Sequence, residues 1–134
     1  MNYWLLKSEP TTYSWRHFLK EGVAVWDGVR NYQARNYLKN MKVGDLALFY
    51  HSNTGKEVVG IAKVVKEAYT DYSSKDLKWV AVDLIPLMEF KNYVKIEQIK
   101  ADIQLKDLLL IKQSRLSVMP VSKVNFELIC KMGL

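Results

Sequence analysis

The sequence predicts an α+β domain in which short strands close into a barrel-like sheet with helices at its periphery. Three observations carry that expectation. Strand-like apolar runs alternate with helix-period stretches at the front of the chain, gather as strands in the middle and give way to helices before a final strand and helix. No Gly-rich strand-to-helix turn of the dinucleotide-binding kind occurs, which argues against a doubly wound parallel sheet. The 134 residues contain no repeat, low-complexity stretch or linker, so residues 1–134 read as one domain with one core.

The elements follow in order. Tyr3 to Lys7 is a short apolar strand closed by Ser8-Glu9-Pro10. Ser14 is a good N-cap for a helix from Trp15 to Glu21, which Gly22 ends in the C′ position. Val23-Ala24-Val25-Trp26 is an apolar run stopped by the turn signal Asp27-Gly28. Asn31 caps the next helix, where Ala34, Tyr37, Leu38 and Met41 fall on one face as a core stripe. The turn Lys42-Val43-Gly44-Asp45 feeds Leu46 to Tyr50, a continuous apolar run expected to be buried on both faces. Asn53-Thr54-Gly55-Lys56 is a hairpin-type loop leading to a strand from Val58 to Val65, in which Gly60 signals a bulge or a close backbone approach.

Tyr69 to Lys78 is polar and reads as a loop. In the strand expected from Trp79 to Leu87, Val80, Val82 and Leu84 share one face, and Trp79, Ala81 and Asp83 the other. Ile96 to Lys112 reads as one or two short helices, and Arg115 to Val118 as a strand with Arg115 and Ser117 on the same face. Ser122 caps a last helix, Val124 to Met132, ended by Gly133.

Composition limits the function classes. Lys and Arg number 20 against 14 Asp and Glu, a net charge of +6 spread over both ends of the chain and not held in a tail. A folded basic surface favours polyanions, nucleic acid first among them. The single Cys130 permits no internal disulfide, fits a reducing compartment and sits in a helical apolar setting unsuited to a reactive thiol. No apolar run approaches the ~20 residues of a membrane span, and Met1 to Lys7 is too short for a signal peptide. The expectation is a cytoplasmic protein with no membrane partner. His17 and His51 are the only histidines, and neither has a second ligand at metal spacing, so neither metal nor other cofactor is expected. Asp45, His51 and Ser52 lie on or beside an extended run where neighbours point to opposite sides, and there is no nucleophile elbow. An enzyme is therefore not expected. His51 reads equally as a loop anchor or a ligand contact.

The stretch from Trp26 to Asn36 is the most informative. A Trp lies beside a tight Asp-Gly turn, and a helix opens at Asn31 with Arg30 and Arg35 at its mouth. This sets an aromatic platform next to an anion-seeking helix N-terminus, an arrangement that suits a nucleotide. Trp4 alternates with Leu6 as core, and Trp15 reads as a lid on the sheet. Trp26 and Trp79 are the candidate base-binding rings, with Ser8, Asn31 and His51 as hydrogen-bonding partners of the base. Lys7, Arg30 and Arg35 are the candidate phosphate contacts, and Tyr32, Gln33, Asn36, Ser52, Arg115 and Ser117 the outer rim. A base stacked on such a ring gains roughly 1–3 kcal/mol.

The chain resembles the EVE domain, a member of the PUA-like superfamily. The resemblance is carried by Trp4-Leu5-Leu6-Lys7-Ser8-Glu9-Pro10, by Trp26 to Asn36, and by Met41-Lys42-Val43-Gly44-Asp45. It continues through Phe49-Tyr50-His51-Ser52-Asn53, Val59-Gly60-Ile61-Ala62, Trp79 with Val82-Asp83, and Arg115 to Val118 before Pro120-Val121. It implies a PUA-like pseudo-barrel of short mixed strands with flanking helices, and kinship to YTH domains, which read N6-methyladenine in RNA through an aromatic cage. In that kinship Lys7-Ser8 resembles the post-strand Lys-Ser of YTH domains, and Trp26 their first cage Trp. The resemblance implies a non-enzymatic reader that flips a modified base, foremost a modified cytosine in DNA, into an aromatic pocket, with any effector a separate protein. The alternatives are a PUA-like RNA-binding adaptor without modified-base preference and a hydrolase or nuclease component acting through His51.

Overall fold

The computed structural model describes all 134 residues. Its frame is set by two apolar runs that bury both faces. Strand β1 (Tyr3–Ser8) lies parallel to the strand Leu46–His51, with Tyr3 opposite Leu46 and Ser8 opposite His51. Including Ala24–Trp26 (β2), Leu46–His51 (β3), Glu57–Thr70 (β4), Val80–Lys95 (β5) and Val118–Val121 (β6), the six strands form one mixed sheet in the order β2-β5-β4-β3-β1-β6. All pairings other than β1 with β3 are antiparallel.

The sheet curls without closing. Its edges are the three-residue β2 and the four-residue β6. Pro120 in β6 has no N–H to give a further strand, and proline is confined to edges for that reason. Two strands are longer than the sequence predicts. β4 and β5 run for 14 and 16 residues, and their pairing shifts register at four points between Val58 and Tyr69. Such bulges bend and twist a ladder, which lets two long strands wrap the core. Tyr69 and Thr70, expected in a loop, end β4, while Trp79 falls just outside β5. Arg115 to Ser117 lies in a turn before β6, so the shared strand face expected for Arg115 and Ser117 does not form.

Five helices flank the sheet: α1 (Trp15–Glu21), α2 (Tyr32–Asn40), α3 (Ile96–Ala101), α4 (Leu109–Lys112) and α5 (Lys123–Gly133). A 3-10 turn, Ile103–Leu105, separates α3 from α4. Ser14, Asn31 and Ser122 cap as their side chains predict, accepting from the backbone N–H of His17, Ala34 and Asn125. Gly133 is different. It is the last residue of α5 and not a cap beyond it, and a Cβ there would run into the Phe90 ring. The glycine is what lets α5 lie against β5.

Beneath the helices Phe18 and Phe49 stack at 5.4 Å, with Trp15 perpendicular to both. Trp15 is 2% exposed and belongs to the core, not to a lid. Its ring fills the space at Gly60, where a Cβ would lie 2.7 Å from it, so Gly60 marks both a register shift and a close approach. Asp45 ties the start of the sheet together: its buried carboxylate accepts from the Trp4 indole and from the backbone N–H of Asn2 and Lys42, each at 3.0 Å.

Candidate nucleic-acid interface

The end of β1, the turn that follows it and the end of β2 converge on one cavity of about 500 Å³. Lys7 and Ser8 come from β1, Tyr13 from the turn before α1, Trp26 from β2 and Arg30 from the turn before α2. The volume is that of a small-ligand site. Trp26 is half-buried, edge-on to Phe49 of the core at 5.7 Å and at right angles to Tyr13 at 6.2 Å. The two rings form a corner, not a parallel sandwich. A planar group stacked on one ring presents its edge to the other.

The cavity is polar around that corner. The Ser8 hydroxyl donates to the Tyr13 carbonyl at 2.5 Å and keeps its oxygen as an acceptor. The Tyr13 hydroxyl donates to Glu21 at 2.7 Å, and burial with the Glu21 carboxylate raises its pKa well above the usual phenol range. Glu9 and Asp27 add two further carboxylates to the lining. Ser117 also lines it, and its carbonyl accepts from the Lys7 backbone N–H at 2.9 Å.

Arg30 reaches the cavity but is not free. Its guanidinium donates to Asp71 at 2.8 Å, to the Val29 carbonyl at 3.0 Å and to the Ser73 hydroxyl at 3.2 Å. Asp71 is fully buried and also accepts from the Gly28 N–H at 2.9 Å and from the Ser73 N–H and hydroxyl. Burial alone would raise this carboxyl; the bonds from Ser73, Arg30 and Gly28 outweigh it and hold the group well below the usual carboxylate range. Arg30 thus bolts the Gly28–Arg30 wall to the β4–β5 turn. Lys7 is likewise engaged, donating to the Ser114 carbonyl at 2.6 Å, and burial lowers its pKa. On its far side Lys7 faces a second hollow of about 540 Å³ that also holds Ser52, Lys56 and Lys100.

Other sequence-predicted residues lie elsewhere. Trp79 is 8% exposed and does not line the cavity; it is covered by Tyr32 at 5.2 Å, with the Arg30 guanidinium at 5.6 Å and the Lys78 ammonium at 5.2 Å from its ring. Its carbonyl accepts the Asp71 backbone N–H at 3.0 Å, which ties it to the residue that Arg30 pairs with. The Asn31 side chain caps α2 and lies with Gln33 and Arg115 in a third hollow of about 350 Å³. Arg35 bonds Asn36 at 2.8 Å and lies over the Tyr32 ring, away from the cavity. His51 accepts the Trp15 backbone N–H on Nε2 at 3.0 Å, and burial lowers its pKa, so the ring is a neutral anchor of α1. Its acceptor nitrogen is occupied and Asp45 is spent on Trp4, so no Ser/His/Asp relay is assembled. Tyr13 is the wall that the sequence reading missed. Its signal was an aromatic residue inside the polar turn after Lys7-Ser8.

No helix is long and apolar enough to cross a membrane. The EVE domain family model matches residues 2–132. Mouse thymocyte nuclear protein 1 is 38% identical over 167 residues, covering 96% of this chain and 72% of the mouse protein. A solved protein of Agrobacterium tumefaciens is 42% identical with a TM-score of 0.97, covering 99% of this chain and 93% of that one. The human THYN1 protein, solved in complex with 5-methylcytosine containing DNA, is 31% identical with a TM-score of 0.92, covering 98% and 97%. The Mmi1 YTH domain, 11% identical with a TM-score of 0.59, shares the fold. With the capped helices, the mixed sheet and a match over nearly its whole length, the chain belongs to the EVE domain family.

Proposed function

We propose that this domain is a non-catalytic reader of modified cytosine in DNA, which takes the base out of its stack and holds it in the corner between Trp26 and Tyr13. The observation that carries the reading is that corner: two perpendicular rings walling a 500 Å³ cavity, in a chain similar to a protein solved with 5-methylcytosine containing DNA. Extruding a base costs a few kcal/mol. Stacking on an aromatic ring returns roughly 1–3 kcal/mol, and a methyl group adds apolar contact with the second ring. Cytosine presents an exocyclic amine, for which a carboxylate is the matching acceptor. Glu9, Glu21 and Asp27 in the lining fit that donor and disfavour a phosphate inside the cavity. The phosphates stay outside, where Lys56, Lys100 and Arg115 are exposed and take part in no salt bridge.

A titration followed by Trp fluorescence tests this, with matched DNA and RNA strands carrying 5-methylcytosine or plain cytosine. Methylated DNA should bind about tenfold tighter than plain DNA, and Trp26→Ala should erase that ratio. Equal affinity for all four strands would replace the reader with an RNA-binding adaptor indifferent to modification.

A further inference from the structure

The turn between β4 and β5 exposes an aromatic ring that the cavity itself does not use. Tyr72 is 83% exposed, more than any other large apolar side chain of the protein. Its neighbours are fixed. Asp71 is buried against Gly28 and Arg30, and the Ser73 hydroxyl is shared between Asp71 and Arg30. The segment therefore abuts the cavity wall and presents Tyr72 to solvent from a rigid base.

Tyr72 is also backed. Its ring lies 6.2 Å from that of Tyr69, which donates to Asp83 at 2.5 Å and carries the Lys66 ammonium 4.2 Å above its face. Asp83 pairs in register with Val25, and Val25 lines the cavity. A row from Tyr72 through Tyr69 and Asp83 thus leads to Val25 in the cavity lining. At 83% exposure the ring adds little to the core. A duplex offers such a ring a place: DNA-binding proteins insert apolar side chains between unstacked base steps, and extruding a base opens a gap in the stack.

We propose that Tyr72 enters a DNA duplex at the position the extruded base vacates; this rests on the base-reading function above. A single strand has no such gap, so the two proposals separate. The test measures binding of 5-methylcytosine and plain cytosine, each in a duplex and in the same strand alone, by wild type, Tyr72→Ser and Tyr72→Phe. Because Tyr72 is exposed, both variants should keep the native circular dichroism. Tyr72→Ser should lose about tenfold on the methylated duplex and nothing on the methylated strand, and Tyr72→Phe should match wild type on both. Unchanged duplex binding by Tyr72→Ser, an equal loss on strand and duplex, or no binding of duplex by wild type would each overturn the wedge. Loss of the methyl preference on single strands by wild type would instead overturn the reader.

Discussion

Arg30 and Asp71 are joined at 2.8 Å between Nη1 and Oδ2, and the carboxylate of the pair is wholly inaccessible. The same Oδ2 receives the Gly28 N–H, so one oxygen fixes two residues of the cavity wall from a turn distant in sequence. Gly28 has φ 77°, a left-handed conformation that favours glycine, and this turns its N–H within the reach of Asp71. Part of the positive charge near the cavity is thereby committed to holding it open.

Removing the carboxylate should cost stability before it costs recognition. Hydrogen bonds to charged groups are worth about 1.5–3 kcal/mol, and Asp71→Asn weakens several at once. We expect a drop of about 2 kcal/mol in unfolding free energy, read from the urea midpoint. Arg30→Lys should lose part of that amount, because one ammonium cannot reach Asp71, Ser73 and the Val29 carbonyl in the planar geometry a guanidinium supplies. If Arg30→Lys weakened DNA binding and left the midpoint unchanged, Arg30 would be a phosphate contact and not a bolt.

His51 gives the fold a pH dependence of known sign. Its folded pKa lies below 6.5 because burial disfavours the cation, and its Nε2 must stay unprotonated to accept from Trp15. Below pH 6.5 the unfolded chain therefore binds more protons than the folded one. The contribution is fully present above 6.5 and is lost as pH falls beneath it, at no more than about 1.4 kcal/mol per pH unit. Asp71, depressed below 3.8, adds a loss only beneath that pH. Thermal unfolding between pH 7.5 and 5 should slope for wild type and flatten for His51→Gln, whose amide oxygen accepts without titrating. An identical slope in both would place the titrating group elsewhere.

What the sequence made legible was what neighbours in sequence decide. Ser14, Asn31 and Ser122 cap because their oxygens reach N–H groups three residues on, and Leu46 to Tyr50 reads as a buried strand because it is apolar throughout. Lys7, Ser8, Trp26, Arg30 and Ser117 share one cavity as end-of-strand and turn residues. Long-range closure was not legible. Trp79 shares a face with Asp83 on paper, yet it is covered by Tyr32 with Arg30 and Lys78 over its ring. Gly133 stands where a C′ glycine would, and only the distant Phe90 reveals its purpose. Tyr13 could not be paired with Trp26 until α1 was docked on the sheet.

Phosphate binding should reside in side chains that the fold leaves free. Lys56 and Lys100 border the hollow behind Lys7, and Arg115 the one beside Asn31. Each phosphate contact on a single strand contributes about 0.7 to the slope of log affinity against log salt. Lys56→Ala with Lys100→Ala should lower that slope by about 1.4 and weaken methylated and plain DNA equally, leaving their ratio intact. A changed ratio would mean that these lysines contact the base. An unchanged slope would move the backbone path to another face.

The contact between α5 and β5 offers the sharpest test of packing. A Cβ at position 133 meets the Phe90 ring, and both residues are buried, so Gly133→Ala should overpack the interface and cost about 1–3 kcal/mol. Phe90→Leu alone leaves a void and should also destabilise, by the transfer and cavity terms of a large-to-small change. Together the two changes relieve one another, since the space vacated by the ring accepts the methyl group. The double variant should then be more stable than the sum of the single losses predicts, with a coupling of 0.5 kcal/mol or more, the size expected of residues in contact, roughly 0.5–3 kcal/mol. Strict additivity in the urea midpoints would show that Gly133 is needed for its backbone alone, as a terminal cap would be, and that α5 does not rest on Phe90.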